Sequence, residues 1–116
     1  QKTIKTGGTV FGAFKEKQLV GFASLENQFF GSKNNYLQLS SIHASKNYRG
    51  QGIGKTLFKL VCKKAKDAGA EKLYISAHSA EETQLFYKAM GCKEAVEYNE
   101  KLVAKEPYDC QLEYVL

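Results

Sequence analysis

The chain has 116 residues, 43% hydrophobic and 25% charged, with a formal net charge of +5. That length and balance specify one globular domain over residues 1–116, and they exclude a disordered or fibrous chain. No apolar run approaches the ~18–20 residues of a membrane span, no segment reads as a signal peptide, and the lysines are spread rather than blocked, which argues against a nucleic-acid patch and suits a small acidic ligand.

The first elements are strands. Residues 9–14 and 18–25 are apolar β-type runs around a polar Lys15-Glu16-Lys17 turn, a hairpin pattern. Residues 27–35 are a loop by their Gly, Ser and Asn content. The loop holds Phe29 and Phe30 side by side, either a pocket wall or a tuck into the core. In the strand at 36–44, Leu37 and Leu39 share a face but Ile42 is out of phase, which predicts a β-bulge near Ser40-Ser41. After a glycine-rich stretch, Ile53, Leu57, Leu60, Val61, Ala65 and Ala68 recur at helical spacing, and Gly69 ends the helix. Residues 72–77 form a strand. Ser79 followed by Glu82 has the capping-box spacing, and Leu85, Phe86, Ala89 and Met90 give the second helix its apolar face before Gly91. A strand over 92–98, a polar connection over 99–107 and a strand over 108–116 complete the chain; in the last, Cys110, Leu112, Tyr114 and Leu116 alternate with Asp109, Gln111, Glu113 and Val115. The order β-β-β-α-β-α-β-β, with one β-α-β crossover, predicts an α+β fold: a mixed sheet with a bulged central strand and helices packed on it.

Cys62, Cys92 and Cys110 are odd in number and lack zinc spacing. They read as reduced thiols of a cytoplasmic protein, and no metal is expected.

The chemistry concentrates in Tyr48-Arg49-Gly50-Gln51-Gly52-Ile53-Gly54-Lys55. Glycines at a helix N-terminus let a ligand approach backbone N–H groups that have no helical partner, and the helix dipole favours an anion there. A P-loop would need glycine at position 49, which is Arg49, and a dinucleotide fingerprint would need glycine at 55, which is Lys55. The pattern that remains is Arg49-x-x-Gly52-x-Gly54.

Here the sequence resembles the GNAT superfamily, the GCN5-related N-acetyltransferases. A second match is Phe86-Tyr87-x-x-Met90-Gly91-Cys92, similar to the family's "FYxxxGF" helix end with Cys92 in place of Phe. The resemblance covers essentially the whole chain. It implies direct transfer of an acetyl group from acetyl-CoA, the co-substrate, to a primary amine. It places the pyrophosphate on Arg49, Gly50, Gln51, Gly52, Ile53, Gly54 and Lys55. It places pantetheine along a gap beside the bulged strand, held by backbone groups of Ile42, His43 and Ala44. Tyr87 matches the family's tyrosine and is the candidate acid for the departing thiolate. The family's strand glutamate falls at Tyr36, so the base is open among His43, Glu26, His78, Asp109, Glu113 and a water chain, with His43 put first. The family's asparagine near the second helix falls at Ala80. Family members usually have a strand and one or two helices before the first hairpin, which here begins within about ten residues of Gln1. That segment is therefore expected to be missing: the chain is a fragment or a minimal member, or a partner subunit supplies the wall. The alternative reading is a catalytically weak CoA-binding or interaction module on the same fold. Expected partners are a small-molecule or peptide amine and, as in many family members, a second copy in a homodimer; neither membrane nor nucleic acid is expected.

Overall fold

The computed structural model describes residues 9–45 and 52–116. β1 (Thr9–Lys15) and β2 (Gln18–Leu25) form the first hairpin. Glu16 and Lys17 turn between them at φ 52 and 67, the left-handed pair whose twist matches that of the flanking strands. β3 (Tyr36–Ala44) runs antiparallel to β2. α1 (Ile53–Asp67) then crosses over to β4 (Lys72–Ala77), which is parallel to β3. α2 (Glu81–Met90), β5 (Lys93–Glu94), α3 (Glu100–Lys105) and β6 (Cys110–Val115) follow. The sheet order is β1-β2-β3-β4-β6-β5, the mixed α+β architecture expected from the element order.

Strand alternation sorts the sheet into two faces. Ala23, Leu25, Leu37, Leu39, Leu73, Ile75 and Ala77 pack against Leu57, Phe58, Val61 and Ala65 of α1 and Tyr87 of α2. On the other face Tyr36 and Tyr74 pack with Phe30, Ala95 and Leu102 of α3.

The register places the bulge at Ser40: Leu25 pairs with Leu39 but Ser24 pairs with Ser41. The extra residue is what lets Leu39 and Ile42 both reach the helical core. Ser24 Oγ ties the bulge down, lying 2.7 Å from Ser40 Oγ and 2.6 Å from Ser41 Oγ.

The structure departs from expectation in four ways, mostly in the C-terminal third. The strand over 92–98 shrinks to Lys93–Glu94, because the Val96 N–H is taken by Glu113 Oε1 at 3.1 Å instead of a strand partner. The connection over 99–107 contains α3, whose N-cap Asn99 accepts from Lys101 N at 3.1 Å and Leu102 N at 3.2 Å. The Ser79–Glu82 capping box does not form: Ala80 is the N-cap, and its N–H donates to His78 Nδ1 at 3.0 Å. Leu60 and Leu85, placed on apolar faces by periodicity, are exposed. Leu57, Val61 and Ala65 of the expected face do reach the core, joined by Phe58 of α1 and Tyr87 of α2, which periodicity does not place there.

Candidate active site

Only three pairs join β3 to β4: Tyr36↔Lys72, Leu37↔Leu73 and Gln38↔Tyr74. The bulge at Ser40 falls just after the last pair. Beyond it β3 continues to Ala44 and β4 to Ala77 with no pairing between them. A bulge bends its strand and raises the local twist, and here it separates two parallel neighbours into a V.

Beyond the bulge, β3 and the two helices α1 and α2 line a cleft of about 440 Å³. Ile42, His43 and Ala44 line one side, Gly52, Ile53, Gly54 and Lys55 line the head of α1, and Tyr87 lies on the α2 side. These are the proposed ligand-contacting positions of the described chain, brought together on one cavity. Arg49, Gly50 and Gln51 lie outside the described residues. Four lining residues escaped the sequence reading: Glu82, Thr83, Phe86 and Met90. The signal was present, because Glu82, Phe86 and Met90 follow one another at i+4 and Thr83 precedes Tyr87 by four, one stripe of α2.

The head of α1 is built to leave amides available. Gly52 is the N-cap at φ 79, a left-handed conformation, and no side chain caps the helix. The first turn holds no acidic residue. The Gly52 carbonyl accepts from Thr56 N at 3.0 Å, so the N–H groups before Thr56 precede the helical ladder. A Cβ on Gly54 would sit 3.0 Å from Phe86 Cε1; this glycine lets α1 and α2 approach at the cleft. A Cβ on Gly21 would sit 2.9 Å from both His43 O and Ile53 Cγ2, so a bare strand position seats the head of α1 over β2 and β3.

Tyr87 is 6% exposed, edge-on to Phe58 and Phe86. Burial pushes its phenol well above the usual range, with Cys92 adding to the shift. Among the described residues no protein group hydrogen-bonds its hydroxyl. His43 is exposed, its ring 5.7 Å from that of Phe22. By alternation it points to the face opposite the helical core, whereas Ile42 packs into that core.

Among the candidate bases, Glu113 is enclosed by the protein. Glu113 is fully buried on β6; Tyr36 donates to its Oε1 at 2.6 Å, and Lys72 Nζ lies 3.3 Å from Oε2. Desolvation would raise its pKa, but the Tyr36, Val96 and Lys72 contacts outweigh it and hold the carboxyl below its ordinary value. Phe30 does line a hollow, but a different one of about 400 Å³ with Glu97 and Tyr98. Among the described residues no group of three or more His, Cys, Asp and Glu is placed to hold a metal, and no helix is long and apolar enough to cross a membrane. The three cysteines form no disulfide.

The model of the acetyltransferase (GNAT) family matches residues 1–92. The chain belongs to the GNAT acetyltransferase family. The match contains the whole cleft and stops before β5, so α3 and β6 lie outside it.

Solved structures show the same fold. PaiA N-acetyltransferase from Thermoplasma acidophilum, in complex with coenzyme A, superposes with a TM-score of 0.74 at 23% identity, covering 94% of this chain and 61% of that one. A GNAT-family acetyltransferase from Staphylococcus aureus Mu50 gives 0.77 at 23% identity, covering 97% and 70%. One from Elizabethkingia anophelis with acetyl-CoA bound gives 0.75 at 21% identity, covering 99% and 80%. This GNAT chain therefore spans 61% of the length of the first of them. Comparison with curated proteins finds no match.

Proposed function

We propose that this domain is an acetyl-CoA-dependent N-acetyltransferase acting on a primary amine by direct attack in a ternary complex. The observation that carries the reading is the convergence, on one cleft, of the uncapped head of α1, the stretch of β3 beyond its last β4 pair, and the buried residue Tyr87. Such a cradle fits a long, narrow ligand with a polyanionic end. The N–H groups at the head of α1 and the Lys55 side chain suit a pyrophosphate, with Arg49, Gly50 and Gln51 proposed to complete that end. The strand edges suit an amide-bearing arm such as pantetheine, which can bond as an added strand.

Acetyl-CoA supplies an activated acetyl thioester. The protein's part is to position it, receive the oxyanion and manage protons. In this reading backbone N–H groups of the Ile42–Ala44 stretch receive the oxyanion. Tyr87 gives its proton to the departing sulfur. Burial keeps the phenol protonated at neutral pH, and the same dry wall disfavours a free thiolate, so both ends of the transfer shift together. His43, on the open face of the same wall, is the proposed proton acceptor for the amine. The fold neighbours described as bound to CoA or acetyl-CoA support the choice of donor.

The test combines binding with turnover. Acetyl-CoA is expected to raise the melting temperature, and a panel of polyamines, aminoglycosides, amino acids and peptides is expected to contain at least one amine that releases CoA thiol. No thermal shift with acetyl-CoA would remove the cleft assignment. A shift with no thiol release from any amine would leave a binding module and not an enzyme.

A further inference from the structure

The face of the sheet opposite α1 and α2 carries a hydrogen-bond chain that none of the roles above uses. Asn99 N–H donates to Tyr74 Oη at 2.9 Å, and Tyr74 donates to Gln111 Oε1. Gln111 Nε2 donates to Ser76 Oγ at 3.1 Å, and Ser76 donates to Asp109 Oδ2 at 3.2 Å. The direction is forced. A backbone N–H can only donate at one end, and a carboxylate can only accept at the other. Reversing the Gln111 amide would leave Ser76 with two acceptors and a single proton. The chain therefore ends on Asp109, whose own N–H is fixed to Glu106 O at 3.1 Å. One carboxylate oxygen is anchored; the other, Oδ1, takes no hydrogen bond among the described residues.

The position gives the arrangement a meaning. Ser76 lies on β4 beyond the last β3 pair, so it borders the V. Its neighbours Ile75 and Ala77 are in the helical core, hence Ser76 points to the opposite face. A trigonal carbonyl lying in the V can be attacked only from above or below the sheet. On the helical side lies the cleft assigned to the donor, walled by Phe86 and Tyr87. The nucleophile must enter on the other, where Ser76 and Asp109 stand.

From this geometry we infer that Ser76 and Asp109 form the acceptor subsite, with Asp109 Oδ1 receiving the ammonium group of a cationic aliphatic amine and Ser76 and Gln111 acting as positioning residues. The inference rests on the acetyltransferase reading. Asp109 binds and orients the cationic amine, and the proton of the attacking nitrogen is left to the acceptor proposed above. Glu113 cannot serve this purpose, being enclosed by Tyr36, Val96 and Lys72.

The experiment is calorimetry of 1,4-diaminobutane, with 1,4-butanediol as the uncharged control, against the protein saturated with CoA. The diamine is expected to bind and the diol not. Asp109→Asn should weaken diamine binding by about tenfold or more, and Ser76→Ala by less, since only the anchor is lost. CoA affinity should stay the same in both variants, a split that general destabilisation would not produce. In turnover, Asp109→Asn should raise KM for the amine and leave KM for acetyl-CoA unchanged. If diamine binds the wild-type complex and Asp109→Asn equally, or binds neither, the subsite is overturned while the donor assignment stands. If the wild-type protein does not bind CoA, both readings fall.

Discussion

At the scale of single residues, two phenols and one carboxylate mark the difference between the cleft and the interior. Tyr87 and Tyr36 are both buried and both pushed well above the ordinary phenol range, yet they do different things. Tyr87 faces the cleft with its hydroxyl uncommitted, and Tyr36 commits its proton to Glu113. Tyr87→Phe is accordingly expected to lower kcat by about a hundredfold, the scale of a lost general acid, with acetyl-CoA affinity unchanged; a steady-state comparison with a binding titration checks it. Tyr36→Phe is expected to destabilise the fold by about 1–3 kcal/mol, because a buried carboxylate loses its short donor, as urea unfolding would show. Glu113 also makes stability depend on pH. Its folded-state pKa is held below the unfolded value, near ~4.3. Its contribution is therefore fully present above that value and lost as pH falls through the lower, folded value. Acid unfolding of the wild type should steepen below about pH 4, and Glu113→Gln should flatten that limb.

At the scale of elements, the head of α1 is set by a glycine one strand away. Gly21→Ala would drive a Cβ against His43 O and Ile53 Cγ2, both at 2.9 Å. The expected cost is about 1–3 kcal/mol, together with weaker acetyl-CoA binding as the helix is displaced from the cleft. Ile53→Ala in the same chain should recover part of both, a coupling that a double-mutant cycle measures. How much of this was readable beforehand differs along the chain. The bulge was legible because Leu37, Leu39 and Ile42 break a period of two, and the glycines around α1 were legible because spacing alone eliminated rival motifs. The burial of Gln111 and Glu113 was not. Alternation in β6 marks them as the polar face, and only the tertiary donors Tyr74 and Tyr36 make that face an interior. α3 was obscured by its polar composition, although Asn99 with Leu102 held a cap and an anchor. The role of Gly21 was invisible, since a glycine in an apolar strand says that something comes close but not what.

At the scale of the molecule, the V makes two half-sheets, β1-β2-β3 and β4-β6-β5, joined by three residue pairs, by the packing of α1 on one face and by the Tyr36–Glu113 hydrogen bond and the Tyr36–Tyr74 cluster on the other. β1–β2, β2–β3 and β4–β6 are paired along most of their length, whereas the β3–β4 seam is short. Amide hydrogen exchange should find residues 42–44 and 75–77 faster than the buried cores of β2 and β6. Acetyl-CoA should slow both segments together, and slowing of one alone would contradict a ligand lying between them. The seam has a mechanical consequence. A molecule that bridges both edges acts as a strut, tightening the two halves on arrival and releasing them on departure. Each catalytic cycle would then pass through a looser protein, and donor supply would govern resistance to proteolysis as well as rate.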